Sequence, residues 1–318
     1  MTSAPASTAT HVAAVQMDGR LGDVRYNLDH VGELIAEAVG RGATVIALPE
    51  FFTTTIALDA DASVRRCALP PDNAALDLLV ETATNDGVLI GGSYLEQRAD
   101  GHVYNCYTLV HPDGVVTRHD KDLPTMIENA FYVGGSTDGV HSTALGSVGT
   151  AVCWETIRTQ TVRRLENRID FLMTGSHWWT TATNWRGPRS FYEAADAANR
   201  ALLASTPARL SRLLGVANIH SSHCGSLSAL YPVVPRWRVP YETYLIGETQ
   251  IVDNAGAVVA RMTDADGAGV IDAHIDLSRG EPSEDLPDRF WIPDLGWKSR
   301  LTWWQQNTVA KRLYAGAQ

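Results

Sequence analysis

Apolar residues alternate and then run together over residues 11–17, as in a strand entering a core. Leu28, Val31, Leu34, Ile35 and Ala38 next fall on one helical face, and Gly40 and Gly42 end that helix. Residues 43–48 are almost wholly apolar, a short buried strand that Pro49 breaks, leaving Glu50 at its C-terminal end ahead of Phe51 and Phe52. Strand, helix and buried strand within about forty residues make an α/β opening. Residues 73–86 predict a second helix through Leu76, Leu79, Val80 and Ala83, with Asp72 or Asn73 as its cap.

An antiparallel meander follows. Residues 88–96, 103–111 and 115–119 predict strands, joined at Asp100-Gly101 and Asp113-Gly114, pairs that tolerate the positive φ of tight hairpins. A parallel doubly wound sheet lacks such an insertion. Strands are expected again at residues 147–152 and 169–173 with a helix over 157–167 between them. Residues 188–214 predict a helix in two pieces, broken at Thr206-Pro207. A strand over 215–220 then ends in the polar stretch Ser221-Ser222-His223-Cys224-Gly225, which reads as a strand-end loop. Three prolines make residues 231–240 a loop, and strands at 243–252, 257–262 and 269–275 complete a second antiparallel set.

The 318 residues are 45% hydrophobic, enough for one sizeable core, and no repeat, linker or compositional shift marks a second domain. The expected organisation is a disordered tip over residues 1–10, one domain over 11–280 and a C-terminal tail over 281–318. The net charge of −10, with no run of Lys or Arg, speaks against a nucleic-acid or membrane surface. No segment approaches the roughly 18 apolar residues of a membrane span. Cys67, Cys106, Cys153 and Cys224 are widely spaced without a CxxC pair, so reduced thiols in the cytoplasm are expected. Gly134-Gly135-Ser136-Thr137-Asp138-Gly139 is glycine-rich, yet it lacks the lysine and the strand-to-helix setting of a phosphate loop.

The chemistry gathers at three strand ends. Glu50, Lys121 and Cys153 each follow an apolar run. A cysteine attacks as the thiolate, and at an unperturbed pKa of about 8.5 little of it is ionised at neutral pH. A carboxylate can take the proton, and a lysine can stabilise first the thiolate and then the charge on an attacked substrate. Singly, these residues read as a carboxylate after a strand, a surface lysine and a core thiol. Together they resemble the nitrilase superfamily of carbon–nitrogen hydrolases. Leu48-Pro49-Glu50 is similar to that family's glutamate motif, Lys121-Asp122-Leu123-Pro124-Thr125 to its lysine motif, and Val152-Cys153-Trp154-Glu155 to its nucleophile motif. Order and spacing agree over roughly the first 180 residues.

The resemblance implies a four-layer α-β-β-α sandwich assembled as a homodimer or larger homo-oligomer. It implies Glu50 as general base, Cys153 as nucleophile, Lys121 as the cation beside the tetrahedral intermediate, and the Trp154 backbone N–H as a second oxyanion donor. Glu128, seven residues after Lys121, would position Lys121 or the substrate. No metal or organic cofactor is implied. The substrate would be a small nitrile or amide, cleaved through a cysteine thioester with release of ammonia or an amine. Cys-Trp-Glu and the Pro124-Thr125 pair look more like the nitrile-cleaving branch. Phe51-Phe52-Thr53-Thr54-Thr55 replaces the glycine–tyrosine pair common after the glutamate, which keeps amidase or carbamoylase activity open. An acyltransferase passing the acyl group to an amine and a non-catalytic interaction protein are the readings of other classes.

Phe51, Phe52, His177 and Trp178 are the candidate pocket residues, with Trp179 and Trp185 shared between pocket and packing. His220, His223 and Cys224 invite a zinc reading, but a structural site needs four ligands and no further cluster accompanies them. Trp291, Trp297, Trp303 and Trp304 give the tail the look of a segment that docks on a neighbouring subunit or on its own domain.

Overall fold

The structure, a computed structural model, describes residues 9–57, 63–187, 189–234 and 237–316. The expectation of a disordered tip therefore falls largely on residues 1–8, outside the described residues. In chain order the strands are β1 (Thr10–Asp18), β2 (Val45–Ala47), β3 (Leu89–Gln97), β4 (Val103–Val110), β5 (Val116–Asp120), β6 (Val140–Thr143), β7 (Gly146–Val152), β8 (Phe171–Ser176), β9 (Ala217–Cys224), β10 (Ser226–Val234), β11 (Trp237–Tyr244), β12 (Gly247–Val252), β13 (Val258–Thr263) and β14 (Gly269–Ile275). The helices are α1 (Val24–Gly40), α2 (Ser63–Arg66), α3 (Ala74–Asp86), α4 (Thr159–Leu165), α5 (Arg189–Leu214) and α6 (Trp297–Gly316).

Twelve strands form one hydrogen-bonded network with two wings. One wing runs β14-β1-β2-β3-β4-β5 and the other β13-β12-β9-β8-β7-β6. They meet where β1 and β9 pair in parallel from Gln16↔Ser222 to Asp18↔Cys224. Nearer their N-terminal ends the two strands part, β1 to pair with β14 and β9 with β12.

Strand alternation sorts the side chains into layers. Val12 and Ala14 of β1 share a core with Val148 and Val152 of β7 and with Phe171 and Met173 of β8, which is the space between the wings. Ala13, Val15 and Met17 point the other way, onto Val31, Leu34, Ile35 and Ala38 of α1 and Ala75, Leu79 and Ala83 of α3. On the far side Leu172 packs against Val162 and Leu165 of α4 and Leu210, Leu213 and Leu214 of α5. Helices, wing, wing, helices: the fold is the four-layer α-β-β-α sandwich. The Asn73 cap holds as expected, its Oδ1 accepting the Ala75 and Leu76 N–H groups at 2.9 Å each. The β3-β4-β5 meander is antiparallel with the expected turns.

Several expectations need correction. Pro207 does not divide α5, which is continuous from Arg189 to Leu214; Pro188 lies outside the described residues. A proline in a helix interior costs about 3 kcal/mol, but here Leu203, Leu210, Leu213 and Leu214 are all buried and hold the helix on the sheet. The Thr206 hydroxyl also donates to the Leu202 carbonyl at 2.7 Å. Residues 231–234 and 237–240 are not loop but parts of β10 and β11, a separate two-stranded ribbon, and residues 235–236 lie outside the described residues. Both strands of a ribbon are edges, where a proline need not supply a ladder N–H. The stretch Ser221–Cys224 is not a strand-end loop either, since β9 continues through it.

One close approach joins fold to site. A Cβ built on Gly175 of β8 would stand 2.8 Å from the Glu50 backbone nitrogen and 3.1 Å from the Leu48 carbonyl oxygen. These are backbone atoms and cannot swing aside. Gly175→Ala is expected to cost about 1–3 kcal/mol of stability and to displace Glu50. Urea denaturation checks the first effect, and a substitution that leaves the midpoint unchanged would contradict the packing described.

Candidate active site

Three strands of the sandwich end at one place. The chain leaves β2 through Leu48-Pro49 to Glu50, leaves β5 directly into Lys121, and leaves β7 directly into Cys153. Glu50 and Lys121 have no exposed surface and Cys153 has 2%. The Lys121 ammonium donates to Glu50 Oε1 at 2.9 Å and to Glu128 Oε2 at 2.7 Å. Glu50 is held further by the Asn105 side-chain amide at 2.8 Å on Oε1 and by the His177 backbone N–H at 3.0 Å on Oε2. Glu128 sits on a short 3-10 turn, Met126–Ala130, and accepts the Thr125 N–H at 2.7 Å and the Tyr132 hydroxyl. An oxygen of Glu50, an oxygen of Glu128 and the Cys153 sulfur all lie within 4.8 Å of one another.

Backbone strain is concentrated here. Cys153, Phe51 and Met126 take φ of 53°, 56° and 52°, in the left-handed region that non-glycine residues rarely adopt. Such conformations persist where the surroundings over-determine them. At Cys153 the turn lifts the thiol off the end of β7 towards the carboxylates.

The electrostatics follow from one cation among several acids. Burial is the largest influence on Glu50 and raises its pKa to about 7; Lys121 opposes this and repulsion from Glu128 adds to it. Burial works against the Lys121 charge, but Glu128 and Glu50 outweigh it and hold the pKa well above the ordinary lysine value. Burial and then Glu50 push the Cys153 thiol well up, with Lys121 acting against them. At neutral pH the resting sulfur therefore keeps its proton, beside a carboxylate balanced near its midpoint. Lys121 donates to both Glu50 and Glu128, so its ammonium supplies the positive charge shared by these two buried carboxylates.

Around this centre, Phe51 lies against Tyr132 and His177, with ring centroids 6.2 and 5.9 Å away. Phe52 faces the other way, into the outer core against Tyr94, so it is no part of a pocket wall. Trp178 packs on Trp154 at 5.6 Å. The tail returns to its own chain here: Trp303 of α6 stacks on Trp154 at 5.3 Å and Trp291 meets it edge-on at 5.4 Å. His177 is buried and kept neutral, its pKa lowered first by desolvation and then by His223. His223 Nε2 is 2.7 Å from the Glu50 carbonyl oxygen, and His220 is bonded to Thr174 and Ser176. Among the described residues, the one group of three or more His, Cys, Asp or Glu side chains with ligand atoms within 4.8 Å of one another is Glu50, Glu128 and Cys153, and His220, His223 and Cys224 are not brought into such a group.

Sequence reasoning did not reach Asn105, Tyr132 or His119, and it read Glu155 only as part of a motif. His119 and Glu155 carried a signal, each standing two residues from Lys121 or Cys153 and each polar in an apolar setting.

The family described as "Carbon-nitrogen hydrolase" matches residues 11–284. Nitrilase 3 of Arabidopsis thaliana is 27% identical over 169 residues, 47% of this chain and 48% of that protein. Omega-amidase YafV of Yersinia enterocolitica is 36% identical over 99 residues, 31% of this chain and 36% of that protein. The chain thus spans about half or less of the length of these relatives. Among solved structures, a carbon–nitrogen hydrolase from Helicobacter pylori G27 superposes with a TM-score of 0.65 at 16% identity, covering 84% of this chain and 89% of that one. A cysteine-to-alanine mutant of the amidase from Nesterenkonia sp. AN1, in complex with butyramide, gives 0.64 at 16% identity over 86% of this chain and 94% of that one. At these identities the structures show a shared fold.

A carboxyl C=O infrared band is expected to fade with a midpoint at about pH 7 and to be missing from Glu50→Gln. The folded protein keeps a proton on Glu50 that the unfolded chain releases around pH 4.5, so this group's contribution to stability falls as pH rises from about 4.5 to about 7. A band that titrates near pH 4.5, or that survives Glu50→Gln, would show the assignment to be wrong.

Proposed function

The chain belongs to the carbon–nitrogen hydrolase family, and on that premise we propose that it hydrolyses a C–N bond in a small nitrile or amide, with Cys153 as nucleophile. The observation that carries this reading is the buried contact of Glu50, Lys121 and Cys153, each on a separate strand end. Glu50 takes the thiol proton as the sulfur attacks the substrate carbon. Negative charge then develops on the amide oxygen beside the Lys121 ammonium, and the Trp154 backbone N–H is the second donor. The C–N bond breaks as the nitrogen takes the proton from Glu50, and ammonia leaves a thioester on Cys153. Glu50 next activates a water, which releases the acid and restores the thiol. A nitrile passes first through a thioimidate, and addition of one water gives the same tetrahedral carbon.

Glu128 holds the Lys121 ammonium at 2.7 Å while also accepting the Thr125 N–H and the Tyr132 hydroxyl, which suits a residue that fixes the cation rather than one that exchanges protons. Because Cys153 is almost wholly covered, a substrate reaches it only when a neighbouring group moves. That favours small substrates; Cys153 shares its core with Trp154 and Trp178, and Trp303 packs against the same core. The reading extends to a second copy of the chain as partner, supported by the outward face of α6, where Trp297, Leu301 and Trp304 are 70%, 54% and 65% exposed. Four free cysteines support a reducing, cytoplasmic setting. Among the described residues no helix is long and apolar enough to cross a membrane.

Ammonia release from a panel of small nitriles and amides is the test. Cys153→Ala is expected to abolish it and Glu50→Gln to cut kcat by at least about a hundredfold. Full activity in folded Cys153→Ala would refute the mechanism.

A further inference from the structure

Glu155 stands two residues after the proposed nucleophile with no exposed surface. One of its oxygens, Oε2, accepts the Val152 backbone N–H at 2.7 Å, and Val152 is the residue before Cys153. The other, Oε1, accepts the Asp122 backbone N–H at 3.1 Å, and Asp122 is the residue after Lys121. A single carboxylate thus ties the turn that presents the sulfur to the loop that presents the cation, one residue away from each.

The surroundings keep this carboxylate ionised and immobile. His119 Nε2 lies 3.2 Å from both oxygens, and Arg164 approaches Oε1 at 3.4 Å. The Thr137 hydroxyl accepts the Asp120 N–H at 2.9 Å and lies 2.9 Å from His119 Nδ1, holding the His119 ring against Glu155. Burial opposes the charge, but His119, Arg164 and Arg158 outweigh it and hold the Glu155 pKa well below the usual carboxylate value. A second brace runs parallel: the wholly buried Arg158 donates to Asp122 and, at 3.0 Å, to the Leu123 carbonyl. The elbow after Cys153 therefore grips the lysine loop through both a carboxylate and a guanidinium.

We infer that Glu155 is a positioning residue for the reaction, setting the separation of Cys153 and Lys121 through the Val152 and Asp122 N–H groups. This rests on the triad reading given above. A carboxamide at this position has only one acceptor oxygen, so it can serve one N–H and must turn an NH2 group towards the other. Aspartate keeps the charge but is one methylene short of spanning both. In either variant Lys121 stays bonded to Glu50 and Glu128 but its loop is no longer tied to the Cys153 turn, so the counter-charge stands less closely beside the thiolate. The groups that face the sulfur, Glu50, Glu128 and Lys121, are otherwise unchanged, as are Arg164, Arg158, Asp122 and His119 around Glu155 itself.

The experiment measures iodoacetamide alkylation of Cys153 against pH by peptide mapping, together with kcat and KM on whichever panel substrate is turned over. In folded Glu155→Gln and Glu155→Asp, the alkylation midpoint is expected to move to higher pH. The expected fall in kcat is on the order of tenfold to a hundredfold, with KM changed by less than about threefold. Thermal unfolding establishes which variants are folded; should Glu155→Gln not fold, Glu155→Asp decides. A folded variant with the wild-type midpoint and kcat overturns the inference and leaves Glu155 a buried partner of His119 and Arg164. If instead folded Cys153→Ala releases ammonia as fast as the wild-type protein, the triad reading itself has failed.

Discussion

A lysine ammonium with no exposed surface has to be neutralised inside the protein, and Lys121 is neutralised by two carboxylates that approach it from different elements. Removing one partner of such a buried pair leaves an uncompensated charge at a cost of about 3–5 kcal/mol, so the cluster holds together or not at all. Two acids around one base also leave a surplus of negative charge. Burial first, and then that surplus, raise the Glu50 pKa to about 7 and keep the thiol beside it protonated at rest. The arrangement stabilises the fold weakly for its size, yet it sets up a proton acceptor, a proton donor and a fixed cation within a few ångströms of one another.

The sandwich makes this arrangement possible by ending strands of both wings at one edge. β2 and β5 belong to one wing and β7 to the other, so the sulfur reaches the carboxylate and the ammonium across the inner core. Geometry of that kind is only as accurate as the contacts between the wings. Gly175 lets β8 pass directly against the Glu50 turn, and Glu155 with Arg158 ties the Cys153 turn to the Lys121 loop. The aromatic cover over Trp154 is of a different kind, because part of it comes from the C-terminal segment, which adds to the sandwich from outside.

Much of this was legible in the sequence because buried strands write themselves as short apolar runs, and a charged residue at the end of one stands out. Glu50, Lys121 and Cys153 were found that way, and so were the meander and the Asn73 cap. What escaped depends on tertiary contact. Periodicity cannot show that Pro207 stays inside a helix held by buried leucines, or that Pro232 and Pro240 sit in a ribbon whose strands are both edges. Phe52 lies in the outer core against Tyr94 while Phe51 faces Tyr132 and His177, a division that adjacent aromatic residues after a strand do not announce. Glu155 looked like part of a motif because its partners, the Val152 and Asp122 N–H groups, are backbone atoms that carry no sequence signal.

The central claim is that the sulfur of Cys153 forms a covalent bond with the substrate carbon and that nitrogen leaves a thioester there before the water that releases the acid enters. Intact-mass measurement on rapidly acid-quenched mixtures of the protein with a panel of small nitriles and amides tests it directly. The account predicts a mass increase equal to the acyl group without its nitrogen, mapped to the peptide carrying Cys153. Ammonia release with no adduct at Cys153, or with the acyl group on Cys67, Cys106 or Cys224, would contradict it.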